Sequence, residues 1–259
     1  MADQPQQTPP PAGGNPDVDN NKALAIVGYI IPILFFIPLL NESSKNSPFA
    51  KFHANQQLVL LISAFAGAVT ALQAGYQWQS SLPAYVLGTL IVETIVLELG
   101  PVLIGLVLAG RIGARYAAEL GTMWVTEQID ALESLGRSPA SHLIIPRVLA
   151  STIMLPVLVV IADVVAVGTG WIGVKQVLPI TDWDFRYGAQ YYWRPFDAWY
   201  SLIKAVSFGC AIGVISCYMG FNTQQGAEGV GKSTTAAVVT SSVIILLLNV
   251  TLARLLLHT

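Results

Sequence analysis

Six apolar stretches, at roughly 23–40, 57–75, 84–110, 148–174, 198–220 and 236–257, punctuate this 259-residue chain, and most approach the ~20 residues that a helix needs to cross a hydrocarbon core. Within lipid a backbone N–H or C=O has no water to pair with, so an isolated stretch of that length must satisfy its own hydrogen bonds as a helix. The spacing predicts an all-α polytopic membrane protein with about five to six membrane helices. Composition agrees: 54% of residues are hydrophobic and 11% charged, where a soluble domain carries roughly 25% charged residues. A formal net charge of −2 leaves no basic footprint, so nucleic acid is excluded as a partner. No residue cluster calls for a metal, and no cofactor is expected.

Three zones follow along the chain. Residues 1–21, rich in Pro, Gln, Asn and Gly, are expected to be a disordered tail. Residues 22–63 hold a short apolar run with Pro32 and Pro38, for which a kinked span, a re-entrant segment and an interfacial helix all remain open. The remaining apolar runs lie within residues 64–259, apart from the first few residues of the one starting near 57. No basic residue precedes Lys22 and no small-residue cleavage pattern follows the first run, so a cleaved signal peptide is not expected. The cationic cluster Arg111, Arg115, Arg137 and Arg147 places residues 111–147 in the cytoplasm. Counting spans onward puts 175–197 outside, 221–235 inside and the C-terminus outside. Cys210 and Cys217, seven residues apart in one apolar run, would stand about 10 Å apart on a helix, too far for a disulfide.

One short motif competes with this picture. GAEGVGKST, Gly226 to Thr234, fits the phosphate-cradling pattern G-x-x-x-x-G-K-[ST], which works only where a short strand enters the glycine loop and a helix leaves it. What precedes Gly226 is an apolar run of more than twenty residues, far longer than a strand. VVIAD, ending in Asp163, imitates the accompanying acidic motif but lies inside another apolar run, and no βαβ alternation surrounds either. The stretch reads as a glycine-rich turn between two membrane helices, with Thr234 or Thr235 as N-cap of the last one.

The segment between the third and fourth runs is the richest in information. TMWVTEQIDALESLG has Val125, Ile129 and Leu132 at helical spacing on one side and Glu127, Asp130 and Glu133 toward another, the pattern of a short amphipathic helix. Such a helix can dock on a soluble partner or simply be solvated. ELGPVL (98–103), AGRIGARYAAELGTM (109–123), VTEQIDALESLG (125–136), PRVLA (146–150) and GAEGVGKSTTAAVV (226–239) together resemble, in order and spacing, the signatures of MlaE-type permeases, the membrane subunits of lipid-transporting ABC systems associated with mammalian-cell-entry domains. The resemblance runs from about Ala64 to Leu257 and identifies 64–259 as the permease domain. It implies a homodimer in the bacterial inner membrane, a separate cytoplasmic ABC ATPase, a periplasmic lipid-binding partner with mammalian-cell-entry domains, and phospholipid or a similar amphiphile as cargo, with no catalytic centre in this chain. It also implies that Thr126 to Leu132 is a cytoplasmic coupling helix, in which Thr126, Glu127, Gln128 and Asp130 meet the ATPase.

Charges within apolar runs, Glu93, Glu98, Asp163, Lys204 and Arg254, are costly against lipid and should face a cavity, a partner or the interface. Glu98, before Gly100-Pro101, matches the acidic residue of the family's RELGP-like signature near its lipid cavity. Leu97 stands where that family often has a basic residue, so the local charge pair is expected to be missing and a polar requirement to outweigh a charge requirement at Glu98. The resemblance extends the substrate-binding set to Leu72, Gln73 and Tyr76, with Phe65 and Trp78 as further lining residues; as aromatics near a span end, Tyr76 and Trp78 also suit interface anchors. The first sixty or so residues differ: YIIPILFFIPLL followed by NSPFAKFHANQQLVLLI resembles small helical membrane proteins related to the chloroplast import-channel family. His53 there reads as an interfacial polar residue. A secondary transporter or membrane-assembly factor using intramembrane charges as an ion relay is the alternative to the permease reading.

Overall fold

The computed structural model describes residues 18, 21–23, 25–26, 48–78, 82–224 and 226–257. Most of the N-terminal tail and of the run at 23–40 therefore lies outside the described residues. The chain divides into two units, Met1–Leu61 and Ile62–Thr259. In the first, the buried Gln57 Nε2 donates to Ala25 O at 2.9 Å.

Among the described residues the elements are all helical, and five are long and apolar enough to cross a membrane: Gln56–Gln77, Tyr85–Val125, Ala140–Val177, Pro195–Phe221 and Ala227–Leu257. The first is the greater part of α1 (Pro48–Gln77); the others are α2, α4, α6 and α7 in order. Two short helices lie between them, α3 (Gln128–Ser134) and α5 (Asp182–Tyr191). The 41 residues of α2 would extend about 60 Å at 1.5 Å per residue, twice the ~30 Å hydrocarbon core. Its C-terminal half carries Arg111, Arg115 and Glu119, so the overhang belongs at that end. The cationic stretch from 111 to 147 is mostly helix, interrupted only between Val125 and Ala140 around α3.

Two π-helical turns interrupt α2, at Ile95–Leu99 and Ala109–Gly113. The first has a local cause. Pro101 lacks the N–H that an α-helix would return to Leu97 O, so the ladder widens there and one carbonyl is released.

Small residues bring the long helices into contact, as expected where lipid supplies no hydrophobic drive between them. Gly209 and Gly213 of α6 lie against Ser151 and Val148 of α4, and Gly220 against Ala117 of α2. Gly67 of α1 meets Ala166 of α4, and Gly170 of α4 meets Ile91 of α2. A buried cluster of Leu87, Ile91, Ile95, Ala166, Val174 and Phe185 forms the core at one end of these helices.

α5 covers the first turns of α2. Thr181 caps it, accepting from Asp184 N at 3.1 Å, while the Asp184 carboxylate accepts from Thr181 N at 3.3 Å. Gly88 and Gly188 permit a backbone-to-backbone crossing at which Thr89 Oγ1 donates to Gly188 O at 2.7 Å. Trp183, Tyr187 and Tyr191 line up at i, i+4, i+8; the first two stack with centroids 5.0 Å apart, and Tyr187 meets Tyr85 edge-on at 5.3 Å.

Candidate functional site

The carbonyl that Pro101 releases is the start of the site. Lys204 Nζ, on α6, donates to Leu97 O at 2.9 Å and to Glu98 Oε1 at 2.7 Å. Tyr200, one turn earlier on α6, donates through its hydroxyl to the same Oε1 at 3.2 Å, and its ring lies 4.4 Å from the ammonium, within cation–π range. From α7, Asn249 Nδ2 donates to Glu98 Oε2 at 2.9 Å. One carboxylate thus accepts from three side chains on two other membrane-spanning helices.

The exposures differ within this node. Lys204 and Tyr200 are fully buried, whereas the Glu98 side chain retains 41% of its surface. A buried ammonium needs a counter-charge in so apolar a setting. Here it holds the carboxylate in place while one side of that carboxylate stays open to whatever occupies the adjoining space.

The expectation that Glu98 lacks a cationic partner is therefore overturned. Leu97 contributes through its carbonyl, and Lys204 delivers the charge from 106 residues further along the chain. Tyr200 and Asn249 went unnoticed in the sequence reading. A signal existed: Tyr200 and Lys204 are four apart, hence on one helix face, and Asn249 is a lone amide in an apolar run.

Leu72, Gln73 and Tyr76 stand elsewhere. With Phe65 and Val69 they form an exposed stripe on α1, where Phe65 is 53%, Leu72 54% and Tyr76 91% exposed. Among the described residues no hydrogen bond or ion pair joins Gln73 or Tyr76 to Glu98. Trp78 instead packs against the buried cluster shared by α2, α4 and α5.

The segment assigned to coupling begins differently from the expectation. α2 runs to Val125; Thr126 closes it, its hydroxyl donating to Thr122 O at 2.8 Å, and Glu127 takes a left-handed φ of 58°. The amphipathic helix therefore starts at Gln128, not Thr126. It ends in a Schellman motif, in which Gly136, at φ 73°, donates to Glu133 O and Arg137 N to Leu132 O. Ile129 is buried and anchors the helix, while Thr126, Glu127, Gln128 and Asp130 are all exposed. Nearby, Glu119 of α2 binds Arg115 at 2.6 Å and Arg147 of α4 at 3.4 Å, tying the two helix ends together.

The phosphate-loop spelling proves to be helix. α7 starts at Ala227, so Gly229, Gly231, Lys232 and Ser233 are helical and the turn is confined to the residues before it. Lys232 pairs with Glu228 one turn back at 2.8 Å, and Thr234 and Thr235 donate to Val230 O and Gly231 O, as mid-helix hydroxyls do. Neither threonine is an N-cap. With the N–H groups of Gly231, Lys232 and Ser233 inside the helix, the glycine loop that the phosphate pattern requires is not formed.

Comparison with known proteins agrees with this architecture. Residues 54–255 match the family described as Permease MlaE. A protein of Rickettsia prowazekii named "Probable ABC transporter permease protein" is 39% identical over 226 residues, covering 87% of this chain and 85% of its own. Another so named, from Synechocystis, is 36% identical over 192 residues, covering 74% and 73%. The chloroplastic protein TRIGALACTOSYLDIACYLGLYCEROL 1 of Arabidopsis thaliana is 44% identical over 146 residues, 56% of this chain and 42% of that one.

Proposed function

The chain belongs to the Permease MlaE family, and from that premise we propose that it is the membrane subunit through which an ABC transporter moves phospholipid or a similar amphiphile between the bacterial inner membrane and periplasmic carriers. As a permease subunit it needs no catalytic centre of its own; the helical state of the Lys232 segment supports reliance on a separate cytoplasmic ATPase. The exposed polar residues from Thr126 to Asp130, at the end of a continuous 41-residue helix, suit a coupling element: a push on α3 travels along α2 to the turn that carries Glu98. A homodimer and a lipid-binding partner with mammalian-cell-entry domains complete the proposed assembly.

The observation that carries the reading is the Glu98 node. A part-exposed carboxylate fixed by Lys204, Tyr200 and Asn249 inside apolar spans is a polar contact point held at a defined place, which a lipid head group requires and a purely structural helix crossing does not. The test is lipid transfer between vesicles by the chain reconstituted with its ATPase and carrier. Transfer that requires ATP hydrolysis and is lost in Glu98→Leu is expected. Transfer that runs on a proton gradient without the ATPase would replace this reading with an ion-coupled one.

A further inference from the structure

A second intramembrane carboxyl group, Asp163, has no comparable partners. It lies on α4, 9% exposed, and its Oδ1 is enclosed against Gly100 with no hydrogen-bond partner among the described residues. No lysine or arginine comes within ion-pair distance of it among those residues. Gly100 is the residue that admits it, because a Cβ there would collide with Oδ1. A buried polar group of this kind is costly inside a membrane unless something supplies a donor.

Oδ1 itself faces Gly100, while the rest of the Asp163 side chain borders an open cavity of about 500 Å³ between α2, α4 and α6, within the ~300–1,000 Å³ of small-molecule sites. Val92 and Val96 of α2, Val160 and Val164 of α4, and Leu202 of α6 form apolar walls, and Trp193 lies at the margin, on the connection into α6. Asp163 is the one ionisable residue in the lining. Glu98 is not part of it, so this space is distinct from the node held by Lys204.

We propose that this cavity is a second binding site, for a single-chain amphiphile whose head is a protonated amine. The apolar walls take the chain, and the ammonium supplies Asp163 with the cation and the donors that Lys204 supplies to Glu98. The lining offers no cation to a phosphate, so an anionic head finds no charge partner in it. The lining is thereby selective against purely anionic heads, and it needs neither ATPase nor transport to be occupied.

The test uses the full chain in phosphatidylcholine nanodiscs and three probes of equal chain length, brominated along the chain: a primary alkylamine, the corresponding alcohol and the corresponding alkyl phosphate. Bromine quenches tryptophan on contact, and the part belonging to Trp193 is the difference from Trp193→Phe. Expected is saturable quenching of Trp193 by the amine at one-tenth or less of the alcohol concentration, with none by the phosphate. Asp163→Asn should equalise amine and alcohol. Val164→Phe, a change at a residue 70% exposed and hence tolerable for folding, should narrow the cavity and weaken the amine at least tenfold; it decides the matter if Asp163→Asn does not fold. Equal quenching by amine and alcohol in the wild type, or an undiminished amine effect in Val164→Phe, would overturn the site.

Discussion

Lys204 Nζ lies 2.7 Å from Glu98 Oε1, and the lysine is fully buried while the glutamate is not. This asymmetry sets which partner can be removed. Glu98→Gln leaves an ammonium enclosed without its counter-charge, whereas Lys204→Met removes the charge together with the need for it. Breaking such a pair costs between the ~1 kcal/mol of exposed pairs and the 3–5 kcal/mol of buried ones. We expect Glu98→Gln to lower the melting temperature in detergent, and the Glu98→Gln/Lys204→Met double variant to recover part of the loss. Additive single effects would remove the coupling. In lipid transfer both Glu98→Gln and Glu98→Leu should be impaired, because charge and hydrogen bonding both matter at this carboxylate.

The spans from residue 57 onward were legible because hydropathy is a local property: each run is long enough to cross whatever its neighbours do. Glu98 was legible for a similar reason, since Glu-Leu-Gly-Pro puts a charge and a helix irregularity side by side. Its partners were not, because Lys204 and Asn249 lie 106 and 151 residues away and no local pattern says which helix faces which. The glycines from 226 to 231 were read as a turn from their backbone freedom, yet α7 begins at Ala227 and absorbs two of them, Gly229 and Gly231. Docking of α7 on α2 and α6 outweighs the ~1 kcal/mol preference against glycine in a helix. The left-handed Glu127 has no sequence signal, whereas the one at Gly136 has an obvious one.

Gly188 should be intolerant of even one methyl group. A Cβ there would run into Tyr85 O, the crossing at which Thr89 donates to Gly188 O. Overpacking of this kind costs about 1–3 kcal/mol. Because α5 is short, the expected effect of Gly188→Ala is its local release from α2, read as faster proteolysis between Val177 and Pro195 with the other helices still protected. A digestion pattern identical to wild type would show that the backbone adjusts.

The Lys175–Asp182 pair at 2.6 Å holds the Asp182 carboxyl below the usual carboxylate range. A depressed folded-state value means that the stabilisation is present above the unfolded carboxylate pKa of about 3.9 and is lost as pH falls through the folded value. The pair is exposed and its contribution small. The melting temperatures of wild type and Asp182→Asn should therefore differ slightly at pH 7, and the difference should shrink as pH falls below about 3.9. A difference that does not shrink across that fall would assign the effect of the substitution to something other than ionisation.

Glu127 combines a strained backbone with an exposed charge, and two substitutions separate them. Left-handed φ costs a non-glycine residue about 1–2 kcal/mol, so Glu127→Gly relieves the backbone, offset by the added freedom of the unfolded chain, and deletes the charge. Glu127→Val keeps the residue bulky and puts a β-branched side chain into the worst conformation for it. If the carboxylate engages the ATPase, Glu127→Gly should leave thermal stability within about 1 kcal/mol of wild type and still reduce recovery of the ATPase on the detergent-solubilised chain severalfold. Glu127→Lys should reduce it further by reversing the local charge. Membrane insertion should be unchanged in all three variants. Should Glu127→Gly recover the ATPase as wild type does and only Glu127→Val fail, the bend between α2 and α3 would be the coupling feature and the charge incidental.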